Sequence, residues 1–534
     1  MSFNQDNILR LFKYIVFIIF SVILCYPTIL NAAVFHVKNG GLKSSGNSVV
    51  GDWSNNNCYS TIGAAIASMK GGDEVIVDDG RYVGTQNSIV NVPSGTVQNY
   101  SIIRARNPFG STIDSGISGD WNYYGRMVSI SNDDAYIQVD GFRGINRDGS
   151  NNRFIEIYGH YIKITRCQLR TEGPDNRENS VFLIGNEASY ILVEDCAITG
   201  GYRYGFLVVG IGSAPHHIVF RRCVGRADWS DSDEPISMFA VYGHNSSAAL
   251  GPHDIYYQNC IAIDQNASVP DSDWKPYGPW YIFKGNSRVT LNGCITLNND
   301  QTGSSSGSWL TNTYGGSGVY VNNSVFWGFK GIGLTLSGDD VQVSSSTFGG
   351  NSQGGFRLNA SSNEASVVNC LFYDNTGGAI IRNTPGVLLN NSFYNHSPIG
   401  SKVVTFQNDL KYIFRVEEDS NRYAGGSNGG HVGAHIVNKF GKTGALWGES
   451  GWNQEQPESL WPWPYEDYIW EWMRVPNIPP SGATPRVNNT KRGFAADGQT
   501  LTDYIWSYLG NGVPDEYGSG LLPTPIIIKV EVQD

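Results

Sequence analysis

Nine times between Ile164 and Ser392 the chain repeats one short phrase: apolar strand, one or two polar residues, then Cys or Ser. The copies include Ile164-Thr165-Arg166-Cys167, Val193-Glu194-Asp195-Cys196, Tyr257-Gln258-Asn259-Cys260, Val343-Ser344-Ser345-Ser346 and Val367-Val368-Asn369-Cys370. The steps between the Cys/Ser positions are 29, 27, 37, 34, 30, 22, 24 and 22 residues. A second apolar strand lies between copies, as in Gly205-Phe206-Leu207-Val208-Val209 and Gly355-Phe356-Arg357-Leu358. Short strands recurring at this period with no helical segment describe the coils of a parallel β-helix. A leucine-rich repeat needs its Leu/Asn consensus, and a propeller blade needs about 40 residues or more. Coils stack about 4.8 Å apart, so equivalent side chains form columns inside the tube. Cys fits such a column as a small hydrophobe.

Composition agrees. Charged residues are 16%, aromatics 12%, and 64 of 534 residues are Gly. That is too apolar for a disordered chain and too poor in helix formers for a helical one. The net charge of -11 disfavours nucleic acid, whose phosphates it repels. It also disfavours polyanionic glycans unless a cation intervenes. The N-terminus reads as an export signal. Arg10 and Lys13 precede the apolar run Ile15 to Cys25, and Asn31, Ala32 and Ala33 supply small residues for cleavage near Ala33. The run is short of the roughly 20 apolar residues of a membrane span. No later segment is long enough for one, so none remains after signal cleavage. Val22-Ile23-Leu24 before Cys25 does not suit lipidation. Without Cys25 seven cysteines remain, an odd number whose repeat placement argues for core packing over a disulfide framework.

The N-terminal segment carries a family resemblance. Trp53-Ser54 leads to Ser60-Thr61-Ile62-Gly63-Ala64-Ala65-Ile66-Ala67, then to Gly71-Gly72-Asp73-Glu74-Val75-Ile76-Val77-Asp78-Asp79-Gly80-Arg81-Tyr82. This resembles the cap of the pectate-lyase-like superfamily of secreted right-handed parallel β-helix proteins. The resemblance implies a short amphipathic helix across the tube's open end and a strand that starts the first coil. It implies no single activity, because one fold hosts many functions. The polygalacturonase set of Asn-Thr-Asp, Asp-Asp, Gly-His-Gly and Arg-Ile-Lys is missing. So is the Arg-x-Pro-x-x-Arg of classical pectate lyases, and Gly243-His244-Asn245 has no partner motifs. Leu460-Trp461-Pro462-Trp463-Pro464 is similar to a C-terminal element of uncharacterised secreted β-helix-repeat proteins.

Coil length points to a site. The coils ending at Cys260 and Cys294 use 37 and 34 residues where later coils need 22. Two neighbouring insertions on one face of a solenoid commonly build its working surface. The first holds Arg226, Asp228, Trp229, Asp231, Asp233 and Glu234; the second holds Asp264, Asp271, Asp273, Trp274, Lys275, Tyr277 and Trp280. Asp228, Asp231, Asp233 and Glu234 could ligate Ca²⁺, which takes six to eight oxygens. Asp231 and Asp233 could act as an acid/base pair in glycoside cleavage. Lys275, Arg222 or Arg226 could abstract a proton next to a carboxylate. Trp229, Trp274, Trp280 and Tyr277 could stack on sugar rings. The plain alternatives are a solvated acidic turn, an exposed lysine and tryptophans lying on the tube wall. His216-His217 and His253 lie near strand starts, where a structural role is the plain reading and a catalytic one the sharper.

Beyond Gly441 the composition turns aromatic: Trp447, Trp452, Trp461, Trp463, Trp470, Trp472 and Trp506. Glu466 to Met473 reads as a short helix opened by Pro464, and Thr502 as the cap of another from Tyr504 to Leu509. Pro523 to Val532 reads as a strand. An exposed aromatic strip would be a glycan platform or protein interface. The plain expectation is a cap whose rings plug the tube end or lie along its side, because an open last rung invites aggregation. The expected organisation is a signal peptide (1–33), N-terminal cap and first coils (34–127), parallel β-helix (128–400) and closing strands with an aromatic C-terminal cap (401–534). The expected function is binding, and cleavage by a lyase or hydrolase, of extracellular polysaccharide. The competing expectation is a non-catalytic matrix or adhesion protein.

Overall fold

A computed structural model describes residues 32–114, 126–146, 153–171, 180–201, 203–229, 237–243, 251–264, 278–283, 285, 287–298, 308–311, 317–358, 365–382, 387–389, 392–394, 411–474, 493–495 and 499–517. The chain divides into two units, Met1–Ala33 and a body, Val34–Asp534. Among the described residues no helix is long and apolar enough to cross a membrane.

The body is a parallel β-helix. Among the described residues, three parallel sheets of 14, 12 and 11 strands form its walls. One coil shows the plan. Strand His160–Thr165 lies in the fourteen-stranded sheet and Gln168–Thr171 in the twelve-stranded one. Ser180–Ile184 lies in the eleven-stranded sheet, and Ser189–Glu194 opens the next coil. Parallel crossovers of this kind are right-handed by the twist of L-residue strands. The columns inside the tube are regular: Ile162, Ile191, Ile218, Ile255, Val289, Val319 and Val341 stand in register and are buried.

The repeated Cys/Ser column is core. Cys167, Cys196, Cys223, Cys260, Cys294 and Cys370 are free thiols, fully or almost fully buried. Ser324 and Ser346 replace them without an orphaned hydroxyl: each donates to the carbonyl two residues back, Asn322 and Ser344, at 2.8 Å. Burial pushes the Cys196, Cys223 and Cys260 thiols well above their ordinary range, so they stay protonated.

The residue before each Cys/Ser turns the chain between sheets in the left-handed region. Arg166, Asp195, Arg222, Asn259, Asn323, Ser345 and Asn369 have φ between 45° and 56° there. Asn and Asp tolerate this conformation best. Their side chains then bind the returning C-terminal segment. Asn369 Oδ1 accepts the Ser427 amide at 2.9 Å, Asn323 Oδ1 the His435 amide at 2.6 Å and Asn259 Oδ1 the Phe440 amide at 2.6 Å. Further back, Glu194 Oε2 accepts the Gly444 amide at 2.9 Å, and Arg143 pairs with Glu471 at 2.8 Å. The segment therefore runs back from late coils to early ones.

Of the two placements expected for the C-terminal rings, plugging the tube end or lying along its side, the structure has the second. The described aromatic region lies along the tube's flank. Leu460, Trp461, Trp463, Ile469, Met473, Tyr504, Ile505 and Trp506 pack on Val224, Ile261, Ile263, Ile295 and Val325 of the twelve-stranded sheet. That sheet's outer face is apolar, and covering it removes far more apolar area from water than covering one terminal rung. Helix α1 spans Ile62–Ile66, α2 Glu466–Met473 and α3 Leu501–Tyr508. Thr500, not Thr502, caps α3 in a capping box with Asp503. Thr502 instead donates to Glu466. The expected strand from Pro523 to Val532 lies outside the described residues.

Candidate functional site

Strand Val224–Trp229 pairs with Ile261–Ile263, and Ser237–Gly243 pairs with Trp280–Phe283. Both long insertions thus leave the twelve-stranded sheet and join the eleven-stranded sheet in neighbouring coils. Asp231, Asp233, Glu234, Trp274, Lys275 and Tyr277 lie outside the described residues. Asp228 and Trp229 stand at the end of strand Val224–Trp229, from which the first insertion departs.

The sheet they join carries an aromatic outer face. Leu183, Leu207, Ala240 and Tyr281 stand in register across four coils. Tyr204 packs with them, and half-buried Tyr158, Val209, Tyr242 and Phe283 border the cluster. The rings lie nearly parallel: Tyr242 to Phe283 at 6.1 Å and 27°, Tyr281 to Phe283 at 5.3 Å and 21°. From Tyr158 to Phe283 the surface extends about 20 Å along the tube axis at ~4.8 Å per coil. Arg203 lies 4.8 Å over the Tyr204 ring. At the early end Glu156 is held by Arg126 at 2.9 Å and Arg153 at 2.6 Å.

Two expected site residues are used elsewhere. Arg222 is 2% exposed and tied to Asp195 at 2.7 Å and Glu194 at 3.0 Å. Burial works against its charge, but the two carboxylates outweigh it and hold its pKa above the ordinary arginine value. A cation so held cannot serve as a proton-abstracting base, and it anchors the C-terminal segment with its neighbour Arg221. Trp280 is fully buried inside the tube, stacked on Phe239 at 4.3 Å, with Nε1 donating to Thr296 Oγ1 at 2.7 Å. No ring face is left for a sugar. Arg226 and Asp264 are also buried and paired, at 3.3 Å, and Asp264 accepts the Phe494 amide and the Tyr504 hydroxyl. They fasten α3 to the tube.

The corner between the eleven- and fourteen-stranded sheets holds a second cluster. His160, Ser189, His216, His253 and Ser287 stand in register on consecutive strands. The next residue in each coil, and in the coil before, is left-handed: Tyr136, Tyr161, Tyr190, His217, Asp254 and Arg288 have φ between 53° and 56°. Each costs about 1–2 kcal/mol of backbone strain. Stacking offsets this in the first coils, with rings 4.8, 4.7 and 4.7 Å apart from Tyr136 to His217. Beyond His217 an ion pair replaces the stack, Arg288 Nε and Nη2 each 2.6 Å from an Asp254 oxygen.

His253 Nδ1 lies 2.7 Å from Asp254 Oδ2 and 3.1 Å from Arg288 Nη2. The His216 ring stacks on His253 at 5.1 Å and 5°. His217 shares an Nδ1 contact with His216 and meets Trp447 edge-on at 5.2 Å. Burial, then the neighbouring imidazoles, lowers the His216 pKa to about 4, and burial lowers that of His217. Burial opposes the charge of Asp254, yet Arg288 and His253 outweigh it and hold its pKa down at about 2. The repeat contains the signal for this row: its left-handed members stand six residues before the Cys/Ser of their coils.

No protein-family model matches the chain, and no curated protein sequence does. Several solved structures are similar. The pectate lyase Pel9A shares 13% identity over 66% of this chain and 77% of that one, with a TM-score of 0.37. The family 6 polysaccharide lyase Pedsa3628 of Pseudopedobacter saltans shares 11% over 63% and 84%, with a TM-score of 0.40. A rhamnogalacturonan lyase shares 13% over 70% and 84%, with a TM-score of 0.35. What the chain has in common with them is the parallel β-helix.

Proposed function

We propose that this chain is an exported protein that binds extended extracellular polysaccharide along the outer face of the eleven-stranded sheet. One observation carries the reading: the insertions of the two longest coils between Cys167 and Ser392 lead into neighbouring strands of the sheet whose outer face carries half-buried Tyr158, Tyr242 and Phe283 around buried Tyr204 and Tyr281. Flat aromatic surface of this length suits the apolar faces of sugar rings, and its hydroxyls suit their polar edges. The similar structures include polysaccharide lyases, in keeping with such a ligand.

The protein's net charge of -11 makes a neutral glycan the simpler ligand. A uronate chain would need a cation, for which Asp228, Asp231, Asp233 and Glu234 of the first insertion are the proposed Ca²⁺ ligands. Lys275 in the second insertion is the proposed base for cleavage of such a chain. The test is a screen of residues 34–534 on alginate, pectate, glycosaminoglycans and neutral glycans, with and without Ca²⁺. Cleavage lost in Lys275→Ala or Asp231→Ala supports an enzyme acting at the insertions. Binding without cleavage supports a matrix or adhesion protein, and neither signal overturns the polysaccharide reading.

A further inference from the structure

The glycan-binding face leaves the histidine row unexplained. His253 Nδ1 either carries a proton and donates it to Asp254 or, unprotonated, accepts from Arg288. The contact to Asp254 is the shorter, 2.7 Å against 3.1 Å to Arg288, and joins a donor to an anion. Nδ1–H therefore faces Asp254, which leaves the lone pair on Nε2. Nε2 has no hydrogen-bond partner among the described residues, and the side chain is 26% exposed. Arg288 is 51% exposed; its Nε and Nη2 are engaged and its Nη1 is not.

The backbone supplies an independent observation. In the coil after Arg288, the equivalent left-handed position is Gly318, with φ of 86°. Glycine relieves the strain there, whereas Asp254 and Arg288 hold the same conformation without it. The conformation recurs along the row, at Asp340 one coil further on as well; what sets Asp254 and Arg288 apart is that an exposed ion pair beside a histidine takes the place of the stacked rings.

We propose that His253 is a general base, set in its tautomer by Asp254, in a site that hydrolyses acyl esters on polysaccharide. The identity of the substrate rests on the polysaccharide reading; the role of His253 does not. The cluster offers one base and one open cation donor. Glycoside hydrolysis ordinarily needs two carboxyl groups on opposite sides of the scissile bond, whereas the carboxylate here is bound to Arg288. Ester hydrolysis needs only a proton shuttle and an oxyanion donor. His253 Nε2 takes a proton from water as the water oxygen bonds to the acyl carbon. The carbonyl electron pair moves onto oxygen, facing Arg288 Nη1. On collapse the bond from acyl carbon to sugar oxygen breaks, and that oxygen takes the proton from Nε2. One water is consumed; a sugar hydroxyl and a carboxylic acid are released.

The test uses residues 34–534 with p-nitrophenyl acetate and with an O-acetylated polysaccharide. Wild type should hydrolyse p-nitrophenyl acetate at least tenfold faster than His253→Gln. Asp254→Asn, which acts through positioning, should lower the rate and shift the ¹⁵N signals of His253 away from the Nδ1–H tautomer. Equal rates for wild type and His253→Gln would overturn the proposal, as would an Nε2–H tautomer in the wild type. His253-dependent ester hydrolysis without retention in any glycan gel would uphold the base and sink the polysaccharide reading. Glycan retention with no His253-dependent hydrolysis would do the reverse.

Discussion

Asn259 Oδ1 accepts the Phe440 amide at 2.6 Å across 181 positions of sequence. The bond joins a left-handed corner of the tube to the segment returning along its flank. Asn369, Ser345, Asn323, Arg222 and Glu194 repeat the arrangement, so the C-terminal segment is stitched to successive coils. The most deeply placed stitch is Arg221, fully buried, which donates to the carbonyls of Lys442 at 2.7 Å, Ala445 at 3.2 Å and Trp452 at 3.1 Å.

Arg221→Met should therefore be among the costliest single changes. It leaves Glu194 with one fewer cation in a buried site; breaking a buried pair costs about 3–5 kcal/mol. Chemical denaturation should show that loss, and limited proteolysis should cut between Asn438 and Ser459 before the coils unfold. Wild-type stability in the variant would contradict the pinning role.

The cysteine column predicts graded tolerance. Cys260→Ser should cost under about 2 kcal/mol, because Ser324 and Ser346 already show how a hydroxyl is satisfied there. Cys260→Leu overpacks the column and should cost about 1–3 kcal/mol or more. A thiol reagent should leave Cys167, Cys196, Cys223, Cys260 and Cys294 unmodified in the native protein and reach them on unfolding.

Glu466 sets a pH dependence. Burial raises its pKa to about 7 from an ordinary 4.5, despite the hydrogen bonds from Thr502. The folded state favours the protonated form. Its contribution is thus complete below pH 4.5 and lost as pH rises through about 7. The junction of α2 and α3 should open more readily in hydrogen exchange at pH 8 than at pH 5. Glu466→Gln should flatten that difference, and an unchanged profile would contradict the assignment.

The interior was the legible part of this protein. Cys and Ser recur at readable spacing because a narrow tube tolerates little else, so sheet and coil follow from the sequence pattern. The flank was less legible. Trp461 and Trp506 are as compatible with plugging an end as with covering a side, and only the apolar outer positions of the twelve-stranded sheet, such as Ile261 and Ile295, decide between them. Trp280 misled because its side of the strand depends on register: it stands opposite Phe239, inside the tube. The histidine row was hidden by distance. His216 and His253 are 37 residues apart and meet only when coils of unequal length are aligned on their cysteines.

The aromatic face is the central claim, and affinity electrophoresis tests it most directly. Residues 34–534 would be run through gels containing each neutral or acidic glycan, beside a Tyr242→Ala/Phe283→Ala variant that matches wild type in circular dichroism. Retardation of the wild type, weakened about tenfold in the variant (~1.4 kcal/mol), is the predicted result. Equal retardation of both proteins, or none of either, would contradict the account.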